Sequence, residues 1–204
     1  VSNSKYEQDS NLEALADIAT DHEKMLAVAR IYDPDPEERY LHTSGHLDKR
    51  GDIQWNEETA KQVHLDGTAY GLQLWLQRQN YPLPHWDAPA ITALGQQMFD
   101  LFYREHLQTA VHWTAQAWAG FIQWTFPRQS EQQHRELIQA LTALFNLLAD
   151  SQVLSVTRRD QLIDVLETTQ PAEDPFAAEI SMEHRNEHVS NKRRLKRLKR
   201  RRKR

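Results

Sequence analysis

The sequence predicts an all-α protein: a compact helical bundle of about five to six helices, with a long irregular segment near 33–56 and a helical or disordered basic C-terminal extension. Three observations carry this expectation. Glycine is scarce, at 6 of 204 residues, which disfavours a turn-rich sheet protein. Leu and Gln, both good helix formers, are frequent. Apolar residues recur at three- and four-residue spacing over several stretches, each bounded by proline or by a residue suited to capping.

Each element has a local reason. Ser10-Asn11-Leu12-Glu13 has the spacing of a capping box and predicts a first helix to about Tyr32, with Leu15, Ile18, Met25, Val28 and Ala29 on one face. Asp33-Pro34-Asp35-Pro36 ends it, because proline lacks an amide donor and turns the preceding residue away from helix. Asn56 is placed to cap a second helix to about Asn80. Gly67 and Gly71 lie in it four residues apart, and each costs a helix about 1 kcal/mol against alanine. A close approach by another helix would offset that cost. A strand through Leu72, Leu74 and Leu76 is the competing reading.

Pro82, Pro84 and Pro89 mark a turn, and a helical pattern starts near Asp87. Ile91, Leu94, Met98, Leu101 and Phe102 form one stripe. A second runs through Leu107, Ala110, Val111, Thr114, Ala117, Trp118, Phe121, Ile122 and Thr125. The two are out of phase near Arg104 to His106, which predicts a kink or break there. Ser130-Glu131-Gln132-Gln133 predicts a second capping box, opening a helix with Leu137, Ile138, Leu141, Leu144, Phe145 and Leu148 on its apolar face. Thr157 with Asp160 predicts the cap of a short helix carrying Leu162, Ile163, Val165 and Leu166. Asp174-Pro175 predicts the start of a last one. The chain thus divides into an N-terminal helix (1–32), an irregular loop (33–56), a helical core domain (57–170) and a C-terminal helix running into a basic tail (171–204).

Charge is distributed very unevenly. The last 13 residues hold Lys192, Arg193, Arg194, Lys196, Arg197, Lys199, Arg200, Arg201, Arg202, Lys203 and Arg204, with no acid among them. Removing those 11 cations from the 25 Lys and Arg leaves 14 against 29 Asp and Glu, so residues 1–191 carry −15. The overall charge of −4 hides an acidic body joined to a cationic tail. Such a tail attracts polyanions, above all the phosphates of RNA or DNA, through contacts that carry no base information. A nuclear localisation signal, an anionic membrane surface, protein carboxylates and contact with the chain's own body are the rival readings. The tail contains no aromatic residue, so base stacking is not expected there.

Other classes receive less support. No apolar run approaches the roughly 20 residues of a membrane span, so none is expected. The polar start, Val1 to Glu7, does not read as a secretory leader. Zero cysteines exclude disulfides, cysteine zinc sites and thiol catalysis. These features fit an intracellular protein, cytoplasmic, or nuclear if eukaryotic. No Gly-rich phosphate loop or nucleophile elbow is present, and neither a cofactor nor a catalytic set is expected. His42 with His46, and His184 with His188, have a spacing that zinc ligands use, but each pair lacks further ligands and no metal is expected. Asp100, Glu105, His106 and His112 lie on or beside the apolar stripes. Glu105 falls at a core position, where burial would raise a carboxylate pKa. The dense aromatics Trp113, Trp118 and Trp124 are the expected surface for a protein partner.

The function these features predict is a non-enzymatic accessory or adaptor protein. Its acidic helical body docks to a protein assembly and its Arg/Lys tail contacts RNA or DNA phosphates. The alternatives are a structural assembly protein, of scaffolding or internal capsid type, whose tail binds acidic protein surfaces, and a helical-bundle enzyme using His, Glu and Asp groups.

Overall fold

A computed structural model describes residues 15–33, 56–125 and 130–169, with backbone alone at 124–125. Six α-helices make up most of the described residues, and no strand occurs among them. They are α1 (His22–Tyr32), α2 (Glu57–Leu76), α3 (Ala88–His106), α4 (Ala115–Thr125), α5 (Glu131–Asp150) and α6 (Val156–Thr168). Single 3₁₀ turns at Ala16–Ile18 and Ala110–His112 complete the set. Among the described residues no helix is long and apolar enough to cross a membrane.

Three helix starts carry side-chain caps where the sequence places the start. Asn56 accepts from the Thr59 amide, Asp87 from that of Ala90, and Ser130 from that of Gln133, whose side chain returns to the Ser130 amide. Two starts differ from expectation. The first helix begins at His22, capped by Asp21, after a 3₁₀ turn, whereas the proposed box at Ser10–Glu13 lies outside the described residues. The last begins at Val156, capped by Ser155 through the Arg158 amide, two residues ahead of Thr157. The helix from Asn56 ends at Leu76, four residues early, and 77–80 form a turn. The expectations at 34–55 and 170–204 fall outside the described residues.

The strand reading at 72–76 fails, because this stretch lies in α2, which packs along α3 in the most extensive helix contact of the fold. The expected close approach is there, and Gly95 joins Gly67 and Gly71 in making it. A methyl group on Gly67 would sit 2.8 Å from the Gly95 carbonyl oxygen. One on Gly71 would sit 2.7 Å from Thr92 Cα, and one on Gly95 would strike the Gly67 carbonyl. Backbone meets backbone, and only glycine leaves room.

The break between the stripes is a chain reversal. Leu107 takes a left-handed conformation (φ 53°), and the amides of Leu107 and Gln108 return to the carbonyls of Tyr103 and Phe102. The second stripe is therefore not one continuous helix, and Val111 is exposed. α4 follows, and α5 and α6 form a hairpin closing the core. Arg158 donates to the Trp113 carbonyl at 2.9 Å, tying α6 to the segment before α4.

Candidate functional site

The densest polar chemistry lies where α1, α2 and α3 meet. His64 projects from the buried face of α2 and is 0% exposed. Its Nδ1 is 2.9 Å from Asp100 Oδ2 on α3, and its Nε2 is 3.0 Å from Asp33 Oδ2, at the C-cap of α1. Gln96 donates to Asp33 (3.1 Å) and to the Thr68 hydroxyl (3.0 Å), and that hydroxyl donates to the His64 carbonyl. Asp33 and Asp100 thus bracket one imidazole, and Gln96 and Thr68 extend the network that joins three helices.

The geometry favours the doubly protonated ring. Each ring nitrogen faces a carboxylate, and only an imidazolium donates from both. Burial alone would push the His64 pKa down. The hydrogen bonds and charges of Asp100 and Asp33 outweigh it and hold the pKa above the ordinary histidine value. While it carries both protons, the ring has no lone pair to offer. Among the described residues no group of three His, Asp or Glu could hold a metal ion.

A second cluster holds the start of α1. His22 stacks on Tyr70 at 4.2 Å between ring centroids, its Nε2 lies 3.1 Å from Asp66 Oδ1, and its Nδ1 lies 2.8 Å from Gln73 Nε2. Gln77 donates to the Ala19 carbonyl at 2.9 Å.

The residues singled out from sequence fare differently. Asp100 enters the His64 bridge. Glu105 is exposed, not buried, and pairs with Arg104 at 2.8 Å, because it lies at the exposed end of α3. Glu105 and His106 line an open cleft of about 690 Å³, whereas His112 lies apart, against the Thr109 hydroxyl at 3.0 Å. The three do not converge. Trp113 and Trp118 are both 0% exposed. They pack edge to face, 5.2 Å apart, with Trp118 stacked on Phe102 (4.2 Å) and against Phe145 (4.8 Å). They fill the junction of α3, α4 and α5, so neither ring has surface to offer a partner in this state. The side chain of Trp124 lies outside the described residues, as do His42, His46, His184, His188 and all the tail cations from Lys192 to Arg204.

His64 was not singled out by sequence reasoning. The signal was a histidine on the stripe Ala60, His64, Gly67 and Gly71, the positions α2 buries.

The surface of the body is acidic. The described residues hold 16 Asp and Glu against 8 Lys and Arg, a net −8. No protein-family model, curated protein or solved structure matches the chain.

Proposed function

We propose that the protein is a non-enzymatic tether: its acidic helical body docks to a protein assembly, and residues 192–204 hold RNA or DNA by the phosphates. One observation carries the reading. The chain keeps its charge in two blocks, −15 over residues 1–191 and 11 cations in the last 13. A net-negative body is repelled by a polyanion, so nucleic acid is left to the tail and the body stays free for its own partner. Joining the two contacts in one chain raises the local concentration of each target for the other. Of the aromatic surface expected to meet the assembly, Trp124 alone is carried into this reading, since Trp113 and Trp118 are enclosed.

Deleting residues 192–204 tests the proposal. Gel-shift binding to RNA and DNA should be lost while the helical circular dichroism of the body is kept; retained binding would refute it. The same charge partition would suit a scaffolding role on an acidic protein surface. Nuclease treatment separates the two, since a nucleic-acid partner leaves on digestion and a protein partner stays until salt is raised.

A further inference from the structure

Helix α1 is fastened to α2 and α3 at both ends, and the two fastenings differ in kind. At its start, His22 stacks on Tyr70 and meets one carboxylate, Asp66. At its end, Asp33 reaches a cation buried between two carboxylates. Between them the fully buried apolar residues are Met25, Leu26 and Ala29, with Val28 and Tyr32 partly buried against the core. α1 has 11 residues, too few to persist as a helix in water once undocked.

We propose that the Asp33–His64–Asp100 bridge is a proton-dependent clasp, which holds α1 on the α2–α3 pair while the imidazole carries both protons and releases α1 when one leaves. The charged groups that face the ring, among the described residues, are Asp33 from the end of α1 and Asp100 from α3. Thr68 and Gln96, its other neighbours, are neutral. Loss of a proton leaves one nitrogen with a lone pair directed at a carboxylate, in a place with no exposed surface. Asp33 adds to the mismatch. It sits at the negative end of the α1 dipole, which disfavours a carboxylate. The charge attraction that the ring supplies to Asp33 and Asp100 across the α1–α3 gap is lost.

The direction in pH follows from linkage. The docked-state pKa of His64 is raised. The clasp is therefore fully engaged below the ordinary histidine value of about 6.5, and it is lost as pH rises through the raised value. Within that window one proton leaves on undocking, so the undocking equilibrium rises by up to about tenfold per pH unit.

Hydrogen exchange on the full chain from pH 6 to 9, corrected for intrinsic rates, reads this directly. Amides of residues 22–33 should lose protection as pH rises while those of 131–150 keep theirs. His64→Gln keeps a donor but does not titrate, and should abolish the pH dependence. His22→Gln should preserve it. Should His64→Gln not fold, Asp100→Asn takes its place: it removes one of the two charges and should move the transition to lower pH. Protection of 22–33 that is flat in the wild type, or a pH response that disappears with His22 and survives without His64, would overturn the proposal. The test is independent of what the tail binds.

Discussion

Gly95→Ala should destabilise the fold, although alanine is the better helix former. In a helix interior the exchange is worth about 1 kcal/mol in favour of alanine. At Gly95 the new methyl would strike the Gly67 carbonyl and lie 3.2 Å from both Cα and N of Gly71. These obstacles are backbone and cannot turn aside as a side chain could. Relief requires α2 and α3 to separate, and a gap of 0.5–1 Å forfeits roughly a quarter to a half of each dispersion contact along the interface. Overpacking of a tight core typically costs about 1–3 kcal/mol, and a backbone obstacle belongs at or above the top of that range. After the propensity gain we expect a net loss of about 2–3 kcal/mol. At about 2–4 °C per kcal/mol for a chain of this size, Tm falls by roughly 4–12 °C. Gly120 in α4 is the control, since a methyl there meets nothing within 4 Å. Gly120→Ala should raise Tm by about 2–4 °C from propensity alone. Thermal melts followed at 222 nm with both variants settle the matter. A Gly95→Ala protein as stable as Gly120→Ala would refute the account of the α2–α3 contact.

Removing the Ser155 hydroxyl (Ser155→Ala) should cost about 1 kcal/mol in urea unfolding, whereas Thr157→Ala should change little, because Ser155 makes the cap. Tyr81 donates to Asp150 at 2.8 Å, and burial, with Asp150 second, pushes its phenol up to about 12. Its contribution to stability is therefore present below about pH 10 and lost between about 10 and 12. Tyr81→Phe should cost about 1.5 kcal/mol at neutral pH and remove that part of the alkaline loss, measured by urea titration. Acrylamide quenching of a protein carrying only Trp113 and Trp118, with the other four tryptophans replaced by Phe, should approach that of an enclosed indole; quenching like that of free tryptophan would return both rings to the surface.

What could be read from the sequence was local. The caps at Asn56, Asp87 and Ser130 are single side chains serving amides three residues on, so a short window contains the whole interaction. The break after His106 was visible as a slip in phase. The start at Ser155 was hidden because Val156, the first helical residue, is 60% exposed and falls outside the apolar pattern. Glu105 continues the apolar stripe by spacing alone, but it lies in the last turn of α3 and is exposed. The density of tryptophans suggests a partner surface, but the left-handed turn at Leu107 lets α3, α4 and α5 close around Trp113 and Trp118. The His64 bridge was illegible for a different reason. Its carboxylates lie 31 and 36 residues away along the chain, and no periodicity reports which distant aspartate a helix will face. Gly95 was overlooked although its partners Gly67 and Gly71 were not, since one glycine in a helix does not by itself announce a crossing.

The central claim, that residues 192–204 bind nucleic acid through phosphates, is tested most directly by the salt dependence of affinity. The measurement is the fluorescence anisotropy of labelled single strands and duplexes with the full chain. Of the 11 cations, about six to eight should contact phosphate at once, each contributing about −0.7 to the slope of log affinity against log salt on a single strand, or about −0.9 on a duplex. The account predicts a slope between roughly −4 and −7 and little preference among unrelated sequences. Affinity that barely changes between roughly 50 and 500 mM salt, the range over which phosphate contacts weaken, would contradict it.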